Sequence, residues 1–203
     1  MREKLAWILE RTGAASNSHA YRETRALFNH FPRRELLYAD AASLKTTIDR
    51  MVYMSSDNEI VVTSRQGLGY AAVSIAFSDL RYSHKAEENL KAALGEAFGS
   101  IAFNTWADMG VVALLIFYFD ESSLEHPIDV PQVHAIVERV ISTWEDRVGA
   151  TLEQTYGPAE GRRLYTRYIR SESRSGIYRE STRAEDVPED LRRLETIEGQ
   201  LET

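Results

Sequence analysis

The stretch Met109–Phe119, MGVVALLIFYF, is the most apolar run of the chain and decides its fold. It is about half as long as the ~20 residues that a transmembrane helix needs, so it favours a buried strand over a membrane span. Its residues are apolar at odd and even positions alike, which is typical of a strand that is central or covered. The run therefore predicts a central strand of a sheet.

Two β-hairpins are indicated around this strand. From Glu59 the apolar residues recur at every second position as far as Val62, and they resume after the turn signal Gly67-Leu68-Gly69. The central strand follows another alternating segment, 100–107, across the turn Asp108-Met109-Gly110. Glycine supplies the positive φ that tight hairpin turns require. The pattern predicts four strands.

Helical spacing of apolar residues fills most of the remaining chain. It predicts helices over 3–11, 19–31, 40–52 and 83–98, a long helix that opens at Pro131 and ends before Gly157, an arginine-rich helix beyond Gly157, and a final helix at 188–201. Asp40 is placed to cap the third of these. In the long helix that opens at Pro131, Trp144 shares an apolar stripe with Val137 and Val148, so its ring is expected under the sheet. A loop is expected around Ser171–Gly176.

The order helix, hairpin, helix, hairpin, helix predicts an α+β fold. A ferredoxin-like βαββαβ unit becomes αββαββ when its first strand is moved to the end, and the chain follows this order with one further helix. We expect a ferredoxin-like four-stranded antiparallel sheet with helices on one face. The chain divides into an N-terminal helical arm, 1–34, an α+β domain, 35–156, and a helical C-terminal arm, 157–203.

Composition excludes several classes of function. The chain has 203 residues, of which 43% are hydrophobic, so a substantial core is expected. It has no cysteine, which excludes disulfides and thiolate metal sites and fits a reducing cytoplasm. The net charge of -7 would repel a phosphate backbone, so nucleic acid is not an expected partner. The segment Met1–Trp7 lacks the apolar run of a signal peptide, so we expect a cytoplasmic protein without a membrane partner.

Several motifs, weak singly but specific in combination, resemble one enzyme family. They are FPRRELL at 31–37, DLRY at 79–82, LGEAFG at 94–99, STWED at 142–146, YG at 156–157, GIYRE at 176–180 and DLRRLE at 190–195. Together they resemble the N-terminal region of the large bacterial NAD-specific glutamate dehydrogenases. In that family the dehydrogenase region lies far downstream, and the N-terminal part is a string of ACT-like and helical modules that regulate and assemble the enzyme.

The resemblance implies an ACT-like domain at 35–156 and a non-catalytic regulatory or assembly role. The parent enzyme deaminates L-glutamate oxidatively to 2-oxoglutarate with NAD, but for this segment the resemblance implies no catalytic residue, no cofactor and no metal. The implied partners are other domains of the same polypeptide or a second copy of the chain, with an amino acid as effector. No effector-binding residue is indicated.

Two alternatives to the module hypothesis stay open. One is a free-standing domain that binds a small molecule such as an amino acid. The other is an independent α/β enzyme whose site is built from scattered residues, for which the candidates are Arg65, Asp108, His134 and Glu138.

Signals for dehydrogenase chemistry are missing from the sequence. A dinucleotide cradle needs G-x-G-x-x-G between a strand and a helix, whereas Gly67-Leu68-Gly69 joins two predicted strands and lacks the third glycine. The chemistry of glutamate dehydrogenase also needs a buried lysine of lowered pKa. The chain's lysines all lie away from the apolar stripes of the predicted helices, and surface roles are expected for Lys4, Lys45, Lys85 and Lys91.

Two charged groups have both a functional and an ordinary interpretation. His134 and Glu138 lie four residues apart on one helix, but a third metal ligand is missing, so we favour an ion pair between them. The chain's basic concentration consists of Arg162, Arg163, Arg167, Arg170 and Arg174. A docking surface for an acidic neighbouring domain and a solvated helix with ordinary ion pairs fit these arginines equally well.

Overall fold

The computed structural model describes residues 1–54, 56–67, 69–170 and 176–201. It forms two compact units, Met1–Ile141 and Ser142–Thr203. The predicted limits at residues 34 and 156 stay a prediction. Leu68 of the predicted turn and residues 171–175 of the predicted loop lie outside the described residues.

The first unit combines helices with a sheet. In chain order it contains α1 (Arg2–Arg11), α2 (His19–His30), α3 (Arg33–Tyr38), α4 (Ala41–Val52), β1 (Val61–Gly67), β2 (Tyr70–Ser78), a 3₁₀ turn (Asp79–Arg81), α5 (His84–Phe98), β3 (Gly99–Asp108), β4 (Val112–Leu124) and α6 (Val130–Ile141). The second unit is helical. It contains α7 (Trp144–Tyr156), α8 (Pro158–Leu164) with a π-helical turn (Tyr165–Ile169), α9 (Gly176–Ser181) and α10 (Val187–Leu201).

The four strands form one antiparallel sheet in the order β1-β2-β4-β3. A ferredoxin-like sheet has this order when its first strand is moved to the end of the chain. The predicted α+β class and antiparallel sheet are therefore confirmed. Strand β4 is central, and residues 112–119 are all buried, as the apolar run predicts.

Both predicted hairpins are confirmed. In the first, Gly67 pairs with Tyr70 and Gly69 adopts a φ of +79°. In the second, the amide of Gly110 donates to Oδ1 of Asp108 at 2.7 Å, and Gly110 has a φ of +92°. Glycine is favoured at both turns because positive φ is costly for residues with a Cβ.

Helices cover both faces of the sheet, which corrects the prediction that they lie on one face. Helices α5 and α6 pack on one face through Leu94 and Val137. Helices α1, α2 and α4 build the core of the other face, where Ile8 and Ile48 are buried. The reason is that β2 and β4 carry apolar side chains on both sides, and each side needs its own cover. The ferredoxin-like unit is therefore ββαββα, from β1 to α6.

The long helix that was predicted to open at Pro131 and to end before Gly157 is in fact two helices, α6 and α7. The break lies at Thr143, whose hydroxyl accepts from the amide of Asp146 while the Asp146 carboxylate accepts from the amide of Thr143. This capping box starts a new helix. Trp144 thus belongs to the second unit, where its indole N–H donates to the carbonyl of Thr182 at 2.7 Å. The prediction that Trp144 lies under the sheet is wrong.

The second unit has a small core of its own. Val148, Leu152 and Leu164 are buried in it. Helices α7 and α8 approach closely, since a Cβ placed on Gly161 would lie 2.6 Å from Cα of Glu153. Along the parts of the chain that the structure describes, no helix has the length and apolarity needed to cross a bilayer.

Candidate functional site

Short helix α3 places Arg34 and Glu35 next to each other in the first unit. Pro32 precedes the helix as its N-cap residue, and Lys4 of α1 holds its other end. The Lys4 ammonium donates at 2.7–2.9 Å to the carbonyls of Leu36, Leu37 and Ala39. The last carbonyls of a helix lack partners within it and favour a positive charge. Lys4 is therefore a structural tie rather than the solvated lysine that was predicted.

Glu35 is a buried carboxylate, with 3% of its surface exposed. It accepts from Nε of Arg65 at 2.9 Å and from Nη2 of Arg65 at 2.5 Å, which makes a two-pronged ion pair between α3 and β1. It also accepts from the hydroxyl of Tyr118 on β4 at 2.6 Å. One carboxylate thus joins three elements that are distant in the sequence.

Two residues that contact Glu35 have pKa values raised above their ordinary values. Burial, together with the hydrogen bond to Glu35 and its charge, raises the pKa of the Tyr118 phenol well above its ordinary value. Burial acts to lower the pKa of Arg65, but the hydrogen bond and the charge of Glu35 outweigh it, so the pKa of Arg65 is raised. At physiological pH, Tyr118 is consequently a neutral donor and Arg65 a permanent cation.

The guanidinium of Arg34 lies against aromatic rings. Its Cζ is 4.2 Å from the ring centre of Phe103, 5.5 Å from that of Tyr118 and 5.7 Å from those of Tyr38 and Tyr70. Phe103 in turn stacks on Tyr118, with ring centres 4.3 Å apart. Within the described residues, no carboxylate forms an ion pair with Arg34. The rings stabilise its charge without neutralising it.

A pocket of about 220 Å³ opens at this cluster, and we call it the Arg34 pocket. It is lined by Arg34, Tyr38, Arg65, Gly67, Tyr70 and Tyr118. Arg65 also lines a second cavity of about 110 Å³, where the hydroxyls of Thr47 and Thr63 lie 2.7 Å apart. The Arg34 pocket combines two guanidinium groups with tyrosine rings, which is an arrangement suited to a small anion that has an apolar body.

The four scattered residues of the enzyme hypothesis are not brought together. Arg65 lies on the sheet face that α4 covers, whereas His134 and Glu138 lie on α6, which covers the opposite face. Asp108 accepts from Gly110 in a hairpin turn. The described residues contain no group of three or more metal-binding side chains, and no ion pair joins His134 to Glu138 within them. The predicted ion pair is wrong, because the two side chains do not meet.

The arginine-rich segment of the second unit makes ordinary contacts. Arg163 pairs with Glu160 at 2.5 Å and with Glu195 at 3.0 Å, and Nε of Arg162 lies 3.7 Å from a carboxylate oxygen of Glu153. These contacts are those of a solvated helix with ion pairs on its surface. Arg174 lies outside the described residues. Docking on an acidic domain stays a prediction.

Arg34, Glu35 and Tyr118 are functional candidates that the sequence pattern did not single out. A signal was present for Tyr118, which is the one residue of Val112–Phe119 that can form a side-chain hydrogen bond. A buried tyrosine hydroxyl usually finds a partner. The identity of the partner, 83 positions away, was not evident from local spacing.

The fold and the site define an α+β sheet domain, covered by helices on both faces, with an arginine and tyrosine pocket, followed by a helical unit. Residues 1–57 match the family model described as glutamate dehydrogenase, helical motif 1. This match spans α1–α4 and includes Arg34 and Glu35, so the region is related to glutamate dehydrogenase. No curated protein and no solved structure matches the chain.

Proposed function

We propose that this chain is a non-catalytic regulatory or assembly module of an NAD-dependent glutamate dehydrogenase of the large bacterial type. The match of residues 1–57 to glutamate dehydrogenase helical motif 1 carries the proposal. The parent enzyme would convert L-glutamate to 2-oxoglutarate with NAD bound elsewhere, and this module would act on its assembly or its response to an effector.

The local architecture supports a role other than hydride transfer. The glycine turn at Gly67 and Gly69 connects two antiparallel strands, so it does not lead into a helix whose N-terminus would receive a pyrophosphate. Lys4 is engaged with three backbone carbonyls, and Lys85 and Lys91 are exposed. A lysine that acts as a base in dehydrogenation needs a buried site that lowers its pKa.

The sheet order supports an ACT-like assignment for the segment from β1 to α6. We propose that the module works in the cytoplasm, joined to other domains of one polypeptide or assembled with copies of itself, and that it needs no cofactor of its own. An amino acid is the effector that fits this role best, since an enzyme of amino-acid breakdown benefits from sensing its substrate pool.

Affinity capture of enzyme activity tests the proposal whether or not the chain is covalently joined to the dehydrogenase. A tag placed on this chain at its own gene should retain the NAD-dependent glutamate dehydrogenase activity of the cell extract, while the same tag on an unrelated protein should not. The purified chain should neither bind NAD in calorimetry nor produce NADH from glutamate. Activity found wholly in the unbound fraction, or turnover by the purified chain, would contradict the proposal.

A further inference from the structure

We propose that the Arg34 pocket binds a small molecule that carries one carboxylate on an apolar body. The first argument is the state of Arg34. Its guanidinium is placed among four aromatic rings, and within the described residues it has neither an acidic partner nor a hydrogen bond. An arginine offers five N–H donors in a planar fork that matches a carboxylate, and here they remain available to a ligand.

The charge balance of the pocket selects a monoanion. Arg65 donates hydrogen bonds from Nε and Nη2 to Glu35, so the pair together carries almost no net charge. Along the described chain no group accepts from Nη1 of Arg65, and Arg65 is one of the residues that line the pocket. Arg34 then leaves one uncompensated positive charge. A carboxylate balances this charge, whereas a phosphate dianion would bring an excess of negative charge.

The walls of the pocket specify the rest of the ligand. The rings of Tyr38, Tyr70 and Tyr118 supply apolar surface, and the volume of about 220 Å³ lies below the range of about 300–1,000 Å³ typical of drug-sized ligands. Tyr38 is 57% exposed, and a bound ligand would cover part of its ring. The pocket therefore fits a simple carboxylic acid, since an amino acid would bring an ammonium group for which no acidic residue lines the pocket.

Binding of the carboxylate is a property of this chain alone, whereas its role as an effector of glutamate dehydrogenase rests on the proposed function. Benzoate is a suitable probe, and benzamide is its neutral match in shape. We expect calorimetry to show binding of benzoate, with weaker binding of benzamide and of inorganic phosphate. In NMR spectra the amide signals of Arg34 and Gly67 should shift on addition of benzoate. L-Phenylalanine tests the choice of a simple acid, because its ammonium group would lie near the Arg34 charge: binding weaker than that of benzoate supports a simple acid, and tighter binding would overturn the charge argument.

Arg34→Gln and Arg33→Gln form a matched pair of variants. Both remove one positive charge from the first turn of α3, but only Arg34 lines the pocket. Loss of charge-assisted hydrogen bonds should weaken benzoate binding about 10- to 100-fold in Arg34→Gln. The affinity of Arg33→Gln should remain that of the parent chain. Equal losses in the two variants would overturn the proposal, because they would indicate non-specific attraction.

Further outcomes decide against the pocket. Benzamide that binds as tightly as benzoate would exclude carboxylate recognition, and phosphate that binds more tightly than benzoate would exclude a monoanion site. If Arg34→Gln fails to fold, Tyr38→Ala replaces it, since this exposed ring can be removed without opening the core, and unchanged affinity in that variant would overturn the proposal. Absent benzoate binding together with retained capture of dehydrogenase activity would refute the pocket alone. Benzoate binding without captured activity would refute the proposed function alone.

Discussion

Removal of the Glu35 carboxylate should destabilise the first unit more than removal of any exposed charge. In Glu35→Leu, the Arg65 side chain, which is 15% exposed, would keep its charge without a partner. The hydroxyl of Tyr118 would lose its acceptor as well. Breaking one side of a buried ion pair costs about 3–5 kcal/mol, a large share of the ~5–15 kcal/mol that keeps a domain folded.

A double-mutant cycle separates the interaction from the side chains themselves. Arg65→Met should also cost about 3–5 kcal/mol, because it leaves Glu35 buried and charged. Glu35→Leu/Arg65→Met should cost only about 1–3 kcal/mol, the loss expected when the buried Tyr118 hydroxyl has no acceptor, which is less than the sum of the two single losses. Tyr118→Phe, which removes one hydrogen bond to a charged group, should cost about 1.5–3 kcal/mol. The control cycle is Glu10→Leu and Arg11→Met, whose side chains are 77% and 48% exposed and whose coupling should be about 0–1 kcal/mol.

Urea unfolding followed by tryptophan fluorescence measures these differences for the first unit. The chain has three tryptophans, of which Trp7 and Trp106 lie in the first unit and Trp144 in the second. A Trp144→Phe background therefore confines the signal to the first unit. If Glu35→Leu costs no more than Glu10→Leu, or if the double variant loses the sum of the two single losses, the buried pair is not coupled as argued.

Three further predictions concern other parts of the first unit. The Asp40 carboxylate accepts from two amides at the start of α4, so Asp40→Ala should lower the free energy of unfolding in urea melts by about 1 kcal/mol. Asp40→Asn should lower it little, because asparagine also caps helices. Equal losses in the two variants would exclude the cap. Gly99→Ala should lower stability by about 1–3 kcal/mol, since φ at this position is +110° and the added Cβ would lie 2.5 Å from the carbonyl oxygen of Ser123. Gly95→Ala should raise stability by about 0.5–1 kcal/mol, because Gly95 lies inside a helix with open space around it. Thermal melts in which the two variants change the melting temperature in the same direction would contradict this prediction. Burial and the hydrogen bond to Glu87 raise the pKa of Tyr82 to about 12. The contribution of Tyr82 to folding stability is therefore complete below its ordinary pKa of 10 and is lost as the pH rises through 12. Thermal melts at alkaline pH should show a smaller loss of stability over this range in Tyr82→Phe, and identical pH profiles for the two proteins would contradict the raised pKa.

The sheet could be predicted from the sequence because its signals are local. The run Val112–Phe119 identifies a strand buried on both faces, and the glycines at 67, 69 and 110 fix the hairpin turns. The same run also contained the evidence for helices on both sides, since a strand with two apolar faces needs two covers. The prediction of one helical face failed to apply this consequence.

The end of α6 and the site show where local patterns are insufficient. At Thr143 the apolar stripe continues in the sequence, but the capping box with Asp146 satisfies the first amides of a new helix and so ends the old one. The site depends on contacts between residues 35, 65 and 118, and no periodicity relates positions that lie so far apart. Glu35 resembles any exposed charged residue of a helix until the sheet is placed against it.

The cover that α1–α4 provide for one sheet face has a consequence for how this part of the protein is inherited. The segment recognised as helical motif 1 ends at residue 57, before strand β1 begins at Val61. Its side chains share one hydrophobic core with Leu114 and Ile116 of β4, an inner strand of the sheet and the last strand in chain order. A gene exchange at the edge of the recognised motif would thus separate two halves of one core. We therefore expect the helical motif and the sheet to be inherited together, unless each gains another apolar surface that covers its side of the core.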